Sequence, residues 1–159
     1  ELARIDVGAD RALVLQQRQI DFAVAHVDAV RGRSLGFLRA GQGAVVNIAS
    51  VLGLSVSKGT IAYATAKAGV IQMTKTLGLE LAFKGVRVNA IAPGWFVTDI
   101  NREYLEGAGK GLTRDIPVGR FGQDGDLDGA LLLLASDAGS YMAGTTVVCD
   151  GGQVVAIRG

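Results

Sequence analysis

Apolar residues at Ile20, Val24, Val27, Val30, Leu35 and Leu38 recur largely in steps of three and four, which predicts a helix over residues 17–38 with one apolar stripe. Residues before 17 mix charge and aliphatics without a clear period and read as loosely helical. After Gly41-Gln42-Gly43, the run Ala-Val-Val-Asn-Ile-Ala at 44–49 reads as a short strand buried on both faces, followed by a polar, glycine-containing loop over 50–60. Residues 61–83, rich in Ala, Leu, Lys and Met, form the strongest helix pattern and stop at Lys84-Gly85. A second strand over 86–92 closes at Pro93-Gly94. Residues 95–122 read as a long loop with one short helix around 101–105. A further helix starts at Asp126 and runs through 127–136. Its four consecutive leucines, 131–134, cover it nearly all round, so it should bury more than one side, against its own core and a partner subunit. A third strand, 145–149, ends at Asp150-Gly151-Gly152. The alternation of helix and strand implies crossover connections, hence an α/β fold with a parallel sheet.

Composition narrows this picture. The 159 residues suffice for one domain and show no repeat, linker or low-complexity tract, so residues 1–159 read as a single unit. Glycine occurs 23 times, about twice the usual share, beside only two prolines, which suits many tight strand–helix connections rather than collagen or a linker. A doubly wound sheet needs two halves and the pattern supplies three strands, one half. The chain also starts at Glu1 rather than Met, so a processed chain or a piece of a longer one is expected. With 16 basic and 15 acidic residues, the basic excess expected of a nucleic-acid or anionic-membrane partner is absent. No apolar run exceeds six residues (130–135), which excludes a transmembrane helix, and no signal pattern opens the chain. A cytoplasmic enzyme domain is the expectation. One cysteine, Cys149, and one histidine, His26, exclude an internal disulfide framework, a multi-cysteine zinc site and any metal site needing two imidazoles.

Several short patterns fail on mechanism. Asp124-Gly125-Asp126-Leu127-Asp128-Gly129 opens like a calcium loop, but its twelfth position is Ala135, where a bidentate carboxylate is required. Helix-start carboxylates are the better reading. Gly107-Ala108-Gly109-Lys110-Gly111 lacks the first glycine and the Ser/Thr of a phosphate loop and reads as a mobile loop. Gly53-Leu54-Ser55-Val56-Ser57 misses the nucleophile elbow by its last glycine. His26, mid-helix, gives a Ser-His-Asp hydrolase little to stand on.

Tyr63 and Lys67 fare better. Four apart on the strongest helix, they share a face one turn from each other. A lysine snorkelling beside a surface tyrosine would give the same spacing. Ser50, thirteen residues before Tyr63, directly follows a buried strand, where a parallel sheet presents its ligand-facing edge.

Together, Asn47-Ile48-Ala49-Ser50, Tyr63-Ala64-Thr65-Ala66-Lys67-Ala68-Gly69 and Val88-Asn89-Ala90-Ile91-Ala92-Pro93-Gly94 resemble the short-chain dehydrogenase/reductase family, from its catalytic strand to the C-terminus. Ser136-Asp137, Tyr141-Met142-Ala143-Gly144 and Asp150-Gly151-Gly152 fit the same pattern. The resemblance implies a Rossmann-like doubly wound parallel sheet whose N-terminal half, with the glycine-rich loop, is absent here. It implies an NAD- or NADP-dependent exchange between a ketone and a secondary alcohol. In that reading Tyr63 is the general acid or base, Ser50 holds the substrate oxygen and Lys67 binds the nicotinamide ribose. An ammonium about 5 Å away, at an effective dielectric of ~20, would stabilise a phenolate by about 3 kcal/mol, enough to matter for proton exchange near neutral pH. Pro93-Gly94-Trp95-Phe96-Val97-Thr98 matches the segment that cradles the nicotinamide, with backbone near Phe96 and the Thr98 hydroxyl taking its carboxamide. Trp95 and the loop through Pro117 would line the substrate pocket. Cys149 reads as a small buried hydrophobe.

Some of the family pattern is missing. No glycine-rich pyrophosphate loop, no residue that selects NAD or NADP and no Asn-rich adenine-side segment is present. Aligning Asp21-Phe22 puts Ala23 where the family has its fourth catalytic residue, an asparagine, which would interrupt the proton relay. Asp99-Ile100-Asn101-Arg102-Glu103, Ile116-Pro117 and Leu127-Asp128-Gly129-Ala130 look similar to gluconate-type dehydrogenases, with 3-oxoacyl-carrier-protein reductases close by. The resemblance further implies a homodimer or homotetramer and a small-molecule carbonyl or alcohol substrate. The rival expectation is a truncated, inactive relic or interaction subunit that binds no dinucleotide.

Overall fold

A computed structural model describes residues 43–98 and 101–156. The expected helix over 17–38, with His26 and Ala23, lies outside the described residues. Three strands, β1 (Gly43–Ile48), β2 (Val86–Pro93) and β3 (Thr146–Cys149), form a parallel sheet in the order β1-β2-β3. Gly43 pairs with Val86 and Ile48 with Ile91, while Ala90 pairs with Thr146 and Pro93 with Cys149. The central strand is therefore the driest: Val86, Val88, Ala90 and Ala92 are fully buried.

Side chains alternate across a strand, so these four point to one face of β2. There they pack against Val70, Ile71, Met73, Leu77 and Leu81 of α1 (Ile61–Leu81). The Cβ that Gly78 lacks would stand 2.4 Å from the Gly144 backbone nitrogen, so only glycine lets α1 lie this close to the turn before β3. A short 3₁₀ turn, Ala82–Lys84, follows, and Gly85 at φ 78° ends it in the left-handed conformation, as its position predicts. A buried bond fixes how α1 sits on the sheet. Thr74 donates to the Val70 carbonyl and accepts from Asn47 Nδ2 of β1 at 3.0 Å.

Arg87 and Asn89 lie at the alternate positions of β2. The Arg87 guanidinium donates to the carbonyls of Leu134, Ser136 and Gly139, satisfying the C-terminal end of α3 (Asp128–Ala135) and the turn after it. Asn89 donates to the Met142 carbonyl at 2.8 Å and accepts from the Thr145 N–H at 3.0 Å.

Two expectations need correction. Residues 102–112, read as mostly loop, form an eleven-residue helix, α2 (Arg102–Leu112), which contains Gly107, Gly109 and Gly111. Its glycines lower intrinsic helix propensity by about 1 kcal/mol each, whereas burial of Leu105 at 2% exposure favours the helix. The strand over 44–49, expected to be buried on both faces, lies at the edge of the described sheet: Val45 and Val46 are half-buried and Ile48 is exposed. The four-leucine helix buries Leu134 in the chain's own core and leaves Leu131, Leu132 and Leu133 exposed, open to the partner contact expected of them. Among the described residues no helix is long and apolar enough to cross a membrane.

Candidate active site

The site is assembled at the C-terminal end of β1. The ladder continues one residue past the strand, where the Ala49 N–H donates to the Ile91 carbonyl at 2.7 Å. Ser50 then caps a 3₁₀ turn, Val51–Gly53, its Oγ accepting from the Leu52 N–H at 3.2 Å. Because Oγ acts there as acceptor, its own O–H can still donate. Ser50 is buried. The turn sits directly on α1: a Cβ at Gly53 would be 2.8 Å from the Lys67 carbonyl carbon and oxygen. A glycine at this point lets the Ser50 turn and the Lys67 segment approach backbone to backbone.

Tyr63 and Lys67 occupy the first two turns of α1. Lys67 Nζ lies 5.7 Å from the centroid of the Tyr63 ring and donates to the Ile48 carbonyl at 3.0 Å. That carbonyl ends β1, two residues before Ser50. Burial pushes the Lys67 ammonium below its ordinary lysine value. An ammonium has three donors, and the Ile48 carbonyl takes one. The Tyr63 side chain is partly open to solvent, with the residue 40% exposed.

Pro93, Gly94, Trp95, Phe96 and Thr98 form the exit from β2. The Gly94 N–H donates to the Cys149 carbonyl, and a Cβ there would strike Asp150, so this turn is seated tightly against the end of β3. Phe96 forms an isolated parallel bridge with Gly122, through Gly122 N–H to the Trp95 carbonyl and Val97 N–H to the Gly122 carbonyl. Gly122 is also forced to be small, since a Cβ would lie 2.5 Å from the Phe96 ring. The bridge uses the polar groups on either side of Phe96, so the Phe96 N–H points away from Gly122 and has no protein partner among the described residues. Thr98 is exposed.

A cavity of about 270 Å³ opens beside this exit, lined by Trp95 and Phe96 together with Arg120, Cys149 and Asp150. Ser50, Tyr63 and Lys67 are not among its walls. Asp126 at its rim is held at about 2, well below the usual carboxylate range, first by the Arg120 hydrogen bond and then by the Gln123 N–H. Burial, and then the charge of Asp150, push the Cys149 thiol up, which keeps it protonated at neutral pH. Among the described residues no group of three or more His, Cys, Asp or Glu could hold a metal ion.

The family model for enoyl-(acyl carrier protein) reductase matches residues 19–153. The chain belongs to the short-chain dehydrogenase/reductase family. Within that family it is 43% identical over 114 residues to the 3-oxoacyl-(acyl-carrier-protein) reductase FabG of Thermotoga maritima, an alignment covering 72% of this chain and 46% of FabG. A solved structure assigned as a 2-deoxy-D-gluconate 3-dehydrogenase from Agrobacterium tumefaciens, with bound NADP, is 37% identical with a TM-score of 0.75, over 80% of this chain and 53% of that one. The gluconate 5-dehydrogenase of Burkholderia cenocepacia, solved with NADP and tartrate, is 31% identical with a TM-score of 0.80, over 98% and 62%. The chain spans about half the length of the curated dehydrogenase/reductase relatives it matches.

The described residues fit one end of a dinucleotide. The unpartnered Phe96 N–H suits a carboxamide oxygen, and the Lys67 ammonium suits sugar hydroxyls. The Gly107-Gly109-Gly111 run makes no pyrophosphate loop, because all three lie inside α2.

Residues missed in the sequence act through hydrogen bonds. Asn101 binds the backbone of Phe96 and Thr98, and the three-residue step from Thr98 to Asn101 is the spacing of a reciprocal cap. Gly53 and the Asn47–Thr74 pair had no such signal.

Proposed function

We propose that this chain carries the proton-transfer site and the nicotinamide end of an NAD(P)-dependent oxidoreductase that interconverts a ketone and a secondary alcohol. One observation carries the reading. Lys67 reaches the last carbonyl of β1 while standing 5.7 Å from the Tyr63 ring, at the strand end that bears Ser50. A bound NAD(P) would supply the hydride. Ser50 donates its O–H to the substrate oxygen. Tyr63 gives that oxygen a proton in reduction and takes it back in oxidation. Lys67 holds the ribose with its two remaining donors. Phe96 backbone and the Thr98 hydroxyl take the carboxamide, with Pro93 and Gly94 shaping that turn. Trp95 borders the substrate, and the gluconate dehydrogenases and 3-oxoacyl reductases among its relatives support a sugar acid or a 3-oxoacyl group as substrate class. A cytoplasmic location belongs to the same reading.

The test is a fluorescence titration of the chain with NADH and NADPH. Saturable binding, with turnover of a ketone, is the expected result. Flat traces at millimolar cofactor would favour the non-catalytic relic or interaction subunit.

Homo-oligomerisation completes the proposal. Ile61, Leu79 and Phe83 of α1 and its exit, and Leu131 and Leu132 of α3, are large apolar side chains left exposed. A homodimer or homotetramer is expected in sedimentation; a single-chain mass at micromolar concentration would count against it.

A further inference from the structure

We propose that Asn101 is a positioning residue for the dinucleotide, its side-chain amide setting the shape of the Phe96–Thr98 backbone. This rests on the oxidoreductase reading above. Asn101 Oδ1 accepts from the Thr98 N–H at 2.7 Å, and Nδ2 donates to the Phe96 carbonyl at 2.9 Å. One planar amide thus closes the three-residue arc from the inside of the turn. Gly122 closes it from the other side through Trp95 and Val97. Between these two sets of bonds, the Phe96 N–H is the donor left for a ligand among the described residues.

The amide is itself anchored. The Asn101 N–H donates to the Thr98 carbonyl, the Arg102 N–H donates to that same carbonyl, and the Asn101 carbonyl accepts from Leu105, whose side chain is buried. Asn101 therefore transmits the fixed position of the α2 start to the arc. A hydrogen bond from a fixed N–H depends steeply on direction, so loosening the arc misaims Phe96 without touching Ser50, Tyr63 or Lys67.

The experiment compares the wild-type chain with Asn101→Ala and Asn101→Asp. Dissociation constants for NADH and NADPH, hydrogen exchange at residues 96–98 without cofactor, and Tm are measured on each. Asn101→Ala should weaken the preferred cofactor about tenfold, as expected for two lost hydrogen bonds behind one contact. It should also speed exchange of the Thr98 N–H, leave Tm nearly unchanged, and raise KM for the cofactor while kcat at saturation holds. Asn101→Asp keeps the acceptor for Thr98 and loses the donor for Phe96, so it should preserve Thr98 protection and fall between the two in affinity. A wild-type chain that binds cofactor, with Asn101→Ala binding it equally well, overturns this inference alone. Loss of affinity accompanied by a matching collapse of Tm also overturns it, since the residue would then be purely structural. A wild-type chain silent toward both cofactors overturns the oxidoreductase reading and takes this inference with it.

Discussion

Tyr63→Phe should lower ketone reduction by about a thousandfold, the usual scale for removing a positioned general acid. The substitution deletes one hydroxyl and keeps the ring, so the Lys67 ammonium retains its 5.7 Å contact with the ring face and its bond to Ile48. Cofactor affinity should therefore change by less than about threefold, a fraction of a kcal/mol. Tyr63 is 40% exposed at the start of α1, outside the packed core, so the fold should be indifferent to the change. NAD(P)H consumption and fluorescence titration on the same samples separate the two effects. Turnover within tenfold of wild type would remove Tyr63 from the chemistry.

Asn89→Ala should cost about 3 kcal/mol of stability, because it strands two backbone groups at once. Asn89 is fully buried in β2, donating to the Met142 carbonyl and accepting from the Thr145 N–H. Neighbouring backbone bonds, Gly144 N–H to Val88 and Ala90 N–H to Thr145, bring this same turn alongside β2. Without the side chain, the Met142 carbonyl and the Thr145 N–H lose the partner that replaces water. Tm should drop by about 10 °C for a domain of this size. Asn89→Asp should not rescue it: the carboxylate still accepts from Thr145 but cannot donate to Met142 and brings a buried charge. A loss below about 1 kcal/mol in urea denaturation would mean that water reaches both groups, contrary to the packing here.

What was legible in the chain was whatever has a short period or a fixed local spacing. The apolar runs ending at Ile48, Pro93 and Cys149 mark the three strands, and Gly85 marks the end of the first crossover. Ser50, Tyr63 and Lys67 are picked out by spacing together with the family resemblance of their motifs, and the structure brings their elements together at one strand end. Tertiary contact overrode local preference in α2, where three glycines argue against a helix that Leu105 nevertheless docks. The Phe96–Gly122 bridge and the Arg87 bonds to three distant carbonyls join residues 26 to 52 positions apart, and no periodicity encodes such pairs. The exposed leucines of α3 mark a different limit: hydrophobicity announces that a surface wants covering, not which surface covers it.

Asn47 and Ile48 are consecutive on β1, and they hold Thr74 and Lys67 respectively, two turns apart on α1. The helix is thus cross-braced to the strand by two rungs, one sealed in the interior and one at the rim. Rotation of α1 about its own axis would break both. The bearing of the ammonium is consequently set by two rungs that use no residue of the segments at 54–60 and 113–127. Changes of length or chemistry in those segments would leave both rungs in place.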